Sequence, residues 1–167
     1  MAARLFPFAR AIVDFAVTDT WDPAGTDYRK DEWIGAVYYD YDATDGYLVY
    51  RCVKNTGSGA IAAALVVATE AGEVNIDHVD TAGANTAAPR VRGVTIGSIP
   101  AGHCGFVVCQ GKVTATDSGS AITVNKQIAT AAAGDIADAT IGTHAVIGSG
   151  MAAISAGVTG KVYISVL

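Results

Sequence analysis

From Trp33 onward the chain is written in short runs of apolar and β-branched residues, separated by clusters of glycine, aspartate, asparagine, serine and threonine. The clearest pair is WIGAVYYDY and YLVYRCVKN, joined by DATDG; aromatic and β-branched residues dominate both runs and predict a β-hairpin. Side chains alternate across a strand, so Tyr47, Val49, Arg51 and Val53 are expected on one face and Leu48, Tyr50, Cys52 and Lys54 on the other. NTGSG reads as a loop, and the valine-rich end of AIAAALVVAT as a strand. A short strand in EVNIDHV and a loop at TAGANTAAP follow. VRGVTIGSI then leads through a Pro-Ala-Gly-His turn into CGFVVCQGKVTA, a strand whose glycines admit bulges or close backbone approach. AITVNKQIAT, Thr143 to Met151 and Val162 to Val166 complete the series.

Turn signals recur roughly every 8–12 residues with little convincing helix, which predicts an all-β domain, a small antiparallel β-sandwich or barrel. No motif recurs at a fixed period, so a solenoid or propeller is not expected. Residues 1–32 differ from the rest. They mix apolar positions with Asp14, Asp19, Asp22, Asp27, Arg29, Lys30, Asp31 and Glu32, and read as an extended N-terminal arm preceding a β-domain at 33–167. A short helix over Leu5 to Val17 is weakened by Pro7 and by β-branched Ile12 and Val13.

Composition narrows the class of function. Hydrophobic residues make up 51% of the 167 and charged residues only 16%, against roughly 25% charged in ordinary soluble domains. A surface so poor in charge points to burial against partners, and hence to an assembly. The net charge of −5 argues against the basic stripe that nucleic-acid binding requires. Pro7, Arg10 and Asp14 interrupt any apolar core of an export signal, and no apolar run is long enough for a membrane helix. Assembly in the cytoplasm, with neither nucleic acid nor membrane as partner, is therefore expected. The three cysteines, Cys52, Cys104 and Cys109, are an odd number, unlike a secreted disulfide framework.

The chemistry-bearing residues do not assemble into a recognisable catalytic pattern. His103, Cys104, Cys109 and Cys52 lack the paired spacing of zinc ligands, and buried structural thiols explain the cysteines better. A Cys–His nucleophile is disfavoured because adjacent strand residues point apart. Asp40, Asp42 and Asp45 evoke a calcium loop, but the spacing slips and Arg51 stands where a glutamate is needed; a turn using Asp45-Gly46 fits better. Gly93, Gly97, Gly102 and Gly105 form no phosphate cradle, and His78, His103 and His144 have no metalloprotease spacing. The expectation is a protein without catalytic activity, metal or cofactor. Among the aromatic residues Trp33, Tyr38, Tyr39, Tyr41, Tyr47 and Tyr50, half of a hairpin's side chains normally face the core, which leaves the outward tyrosines as interface candidates.

The stretch GVTIGSIPAGHCGFVVCQGK, from Gly93 to Lys112, resembles a strand pattern of tailed-phage structural proteins encoded beside the major capsid protein. The likeness continues through GDIADAT, HAVIGSGMAAISAG and KVYISVL, although His103-Cys104 stands where the pattern has an aromatic residue. The resemblance implies a capsid decoration or cement protein on the outer surface of a virion, with the major capsid protein as partner and a homo-oligomer, a trimer before a dimer. In that setting Phe6, Phe8 and Trp21 would anchor the arm on a neighbour, and Tyr38, Tyr39 and Tyr41 would contribute to a capsid or subunit interface. A head-fibre module binding a receptor or glycan is the alternative.

Overall fold

The computed structural model describes residues 18–25 and 33–166. Among these residues ten strands form one continuous sheet: β1 (Val37–Asp42), β2 (Gly46–Asn55), β3 (Val66–Thr69), β4 (His78–Thr81), β5 (Val91–Thr95), β6 (Cys104–Thr116), β7 (Gln127–Thr130), β8 (Ile136–Asp138), β9 (Gly148–Gly150) and β10 (Thr159–Ser165). Helical geometry among the described residues is limited to 3-10 conformation, at Ala88–Arg90, Ala132–Gly134 and Trp33. The all-β expectation holds.

The strand order β1-β2-β4-β3-β5-β6-β10-β9-β7-β8 carries an additional pairing of β2 with β6. That pairing closes β2, β4, β3, β5 and β6 into a ring. Inside it lies a small apolar core of Val53, Ile61, Val67, Val79, Ile99 and Val107. The sequence left sandwich and barrel open; the chain closes a five-stranded ring and extends it with the sheet β10-β9-β7-β8. The sheet is not purely antiparallel: β2 and β4 run parallel, pairing Lys54 with His78 and Asn55 with Val79, and Asp117 makes an isolated parallel bridge with Ile136 of β8.

Strand β6 belongs to both parts because it is long enough to pair twice. Its first half faces β2, with Cys52 opposite Phe106, and its second half faces β10, with Val113 opposite Val162. A bulge separates the halves: Val49 pairs with Gln110 but Tyr50 with Val108, which leaves Cys109 as the extra residue. Gly111 follows at φ +120°, and a Cβ there would lie 2.7 Å from the Tyr47 carbonyl oxygen, so only glycine fits. The bulge also explains why the alternation on β2 breaks. Leu48, Val49 and Tyr50 are all buried, whereas farther along Cys52 joins the larger core and Val53 the inner one.

Two predicted strands are shorter than their apolar patterns. Ile122 makes only an isolated bridge with Ile154, because Asn125 turns the backbone at φ +61° before β7 begins. Over Thr143 to Met151 only Gly148–Gly150 is strand; Thr143 and His144 both donate N–H groups to Thr140 O in a preceding turn. In both places local turn geometry overrides the strand pattern.

Candidate interaction surface

The β1–β2 hairpin is built by its turn residues. Asp42 Oδ1 accepts the N–H groups of Thr44 at 2.7 Å and Asp45 at 2.8 Å, and Gly46 takes φ +79° where the chain re-enters the ladder opposite Asp42. This is a three-residue loop closed by a left-handed glycine. The carboxylates therefore have separate uses. Asp42 organises the turn, Asp40 Oδ1 accepts the N–H of Tyr41 at 2.8 Å, and Asp45 reaches across the sheet. Asp45 Oδ2 accepts a hydrogen bond from Lys161 Nζ at 2.5 Å, and Lys112 Nζ lies 3.4 Å from Oδ1. Chiefly through the Lys161 hydrogen bond, the Asp45 carboxyl is held below the usual carboxylate range. The tip of the hairpin is thus pinned to β6 and β10.

The pleat then sorts the tyrosines onto two faces. Tyr38 pairs with Tyr50 across the ladder, and their rings stack with centroids 6.1 Å apart. Burial, reinforced by the negative charges of Asp40 and Asp42, pushes the Tyr50 hydroxyl up to about 12. On the opposite face Tyr39 and Tyr41 are 70% and 62% exposed, and Tyr47, opposite Tyr41, is 81% exposed. The Tyr41 and Tyr47 rings meet edge-to-face at 5.0 Å. Rings so open to water contribute little to the core; tyrosine is an amphipathic, low-entropy contact residue of the kind interfaces favour. Tyr38 is half-buried, so of the three predicted interface tyrosines it is the one turned toward Tyr50.

β1 also ends the sheet, pairing among the described residues with β2 alone. The N–H of Cys52 donates to Ala36 O at 2.9 Å just before β1, which sets the phase of the ladder. By antiparallel alternation, residues 38, 40 and 42 exchange hydrogen bonds with β2, while Val37, Tyr39 and Tyr41 direct their backbone groups to the open edge. The Asp40 carboxylate on the N–H of Tyr41 is what that phase requires.

Other predicted residues lie elsewhere. Phe6 and Phe8 fall outside the described residues. Trp21 is only 2% exposed: its backbone bridges Cys104, and its indole packs edge-to-face on Trp33 at 6.0 Å and near Phe106 at 5.8 Å. Its side chain thus belongs to its own chain's core, which the aspartate-rich stretch around it concealed in the sequence. Cys52, Cys104 and Cys109 are buried and form no disulfide with one another; burial pushes Cys52 and Cys109 up. His78 pairs with Glu73 at 2.7 Å, His103 lies 3.0 Å from Ala101 O, and His144 Nδ1 accepts the N–H of Thr140. The three imidazoles are locally engaged and do not converge. Sequence reasoning missed two things here: the exposure of Tyr47, which alternation alone assigned to a face without saying which face was wet, and the Asp45–Lys112–Lys161 clamp, whose partners are far apart in the chain.

No family model matches this chain, and no curated protein matches it. Among solved structures it is similar to the N base of head fiber gp8.5 of bacteriophage phi29, with a TM-score of 0.54 and 18% identity over 71% of this chain and 94% of that one. At that identity the likeness establishes a shared all-β fold.

Proposed function

We propose that this chain is a non-enzymatic structural module of a phage virion, one that decorates the outer capsid surface, contacts the major capsid protein and stabilises the shell by bridging capsomers. The observation that carries the reading is the open tyrosine face of the β1–β2 hairpin, Tyr39, Tyr41 and Tyr47, on an exterior poor in charge. The fold shared with a phage head-fibre base supports the virion setting. A surface of repeated weak contacts suits such a role, because a symmetric lattice multiplies modest affinities. Self-association, as a trimer, would increase that avidity further. The test is binding of purified protein to capsids that lack it. Replacing Tyr39 and Tyr41 together with alanine should weaken capsid binding by about tenfold or more, as loss of central aromatic contacts does; unchanged binding rejects this face as the contact.

The second reading, a head-fibre base or receptor-binding module, is favoured by the phi29 likeness specifically. It predicts a few fibre-associated copies per particle and binding of isolated protein on a glycan array.

A further inference from the structure

We propose that the edge of β1, unpaired among the described residues, receives an extended segment of another protein as an added strand, and that this segment alternates basic and apolar residues. The inference rests on the capsid-contact reading of the hairpin and specifies the chemistry of what docks there.

Three observations carry it. First, the edge offers the backbone groups of Val37 and Tyr39, and β1 is exposed along most of its length. Such an edge is a template for strand addition, and proteins usually blunt it with lysine, proline or a bulge. Strand β1, VYYDYD, contains neither lysine nor proline, and its register with β2 runs unbroken from Val37–Arg51 to Asp42–Gly46. Second, the pleat gives the strand two chemically different faces. Val37, Tyr39 and Tyr41 share one, all exposed; Asp40 and Asp42 share the other, both exposed, with no ion-pair partner among the described residues. Residues of an added strand sit opposite these positions, so alternate side chains would meet tyrosine and carboxylate in turn. Third, the charges select against a second copy of this chain. Pairing β1 with itself would place four carboxylates along one seam, where like charges oppose each other, in a protein already at net −5. A basic segment neutralises them, and its cationic side chains can also lie against tyrosine faces.

The probe is a fluorescent hexapeptide of alternating lysine and valine, compared with one of the same composition arranged as three lysines followed by three valines. The alternating peptide should bind about tenfold more tightly, in the range that a few well-matched cross-strand pairs supply. Its binding should weaken with salt, and it should slow hydrogen exchange at the N–H groups of Val37 and Tyr39 in the unmodified protein. Tyr39→Pro removes an outward N–H as well as the ring without touching the β1–β2 ladder, and should abolish the preference for the alternating peptide where Tyr39→Ala, which keeps the N–H, only weakens it; Asp40→Asn with Asp42→Asn should flatten the salt dependence. Equal binding of the two peptides, or absence of protection at Val37 and Tyr39, overturns the proposal. The capsid experiment separates this from the parent reading. If Tyr39→Ala with Tyr41→Ala releases the protein from capsids while Tyr39→Pro does not, the tyrosine face binds without strand addition; if neither variant alters capsid binding, the contact reading itself fails.

Discussion

Asp45 joins residues that lie far apart in the chain: a turn residue on the hairpin accepts a hydrogen bond from Lys161 on β10 and lies beside Lys112 on β6. Replacing it with asparagine should cost about 1 kcal/mol at neutral pH, since the lysines are partly exposed and solvent screens the pairs. Its folded carboxyl sits below the ordinary value, so its contribution is complete above roughly pH 4, the usual unfolded-state range, and disappears as pH falls through the folded value. Denaturant titrations of Asp45→Asn and wild type should therefore differ at pH 7, and the difference should shrink as the pH is lowered below about 4. Asn55 makes a complementary case. Its side chain is fully buried; the amide donates to Gly59 O and Ile99 O and accepts the N–H of Gly57. Asn55→Ala should destabilise by about 2 kcal/mol, measured by chemical denaturation, because buried backbone groups lose their partners. Such residues were only half legible in the sequence. Asn55 in NTGSG and Asp117 in TDSGS both carry the signature of solvent-facing turns; Asp117 is buried as well, accepting N–H groups from Gly119 and Gly157. Turn chemistry fixes the local bend, but burial comes from which distant strand covers it, and Gly157 is 40 residues away.

Strands with strong local pattern were legible, and those decided by long-range pairing were not. The β1–β2 hairpin, the valine-rich β3 and the long β6 all announce themselves by β-branched and aromatic runs. The parallel contact of β2 with β4 and the ring closure through β2 and β6 could not be read, since no local signal names a pairing partner. Strand β9, Gly-Ser-Gly, has almost no intrinsic strand preference and exists because β7 and β10 flank it. A Cβ on Gly148 would lie 2.0 Å from the Tyr163 carbonyl oxygen, a backbone atom that cannot step aside. Gly148→Ala should consequently destabilise by about 3 kcal/mol or more, or prevent folding, as overpacking between strands does; a thermal melt within a degree of wild type would show that β9 stands farther from β10. The bulge on β6 makes a separate prediction. Cys109 sits there with its Sγ 3.3 Å from Val49 O, and burial raises both it and Cys52. Thiolates are the reactive form, so all three buried cysteines should resist a thiol reagent in the native protein at pH 8 and label together on unfolding.

At the scale of the whole molecule, the chain separates a sealed interior from one unusually open aromatic edge. Trp21 ties residues 18–25 to the core beside Trp33 and Phe106, so Trp21→Ala should cost about 3–5 kcal/mol in denaturant-monitored stability. An indole so placed stabilises its own chain, so the proposed decoration role rests on the hairpin face. Tyr39, Tyr41 and Tyr47 are exposed beside a strand edge that is unpaired among the described residues, and it is on them that the proposed decoration role depends. The decisive measurement is the copy number of this chain relative to the major capsid protein in purified particles of the virus that encodes it, by quantitative mass spectrometry. A decoration role requires one copy per capsid subunit or a simple lattice fraction of that; a few copies per particle would assign it to a fibre or tail, and its absence from particles would contradict a virion role altogether.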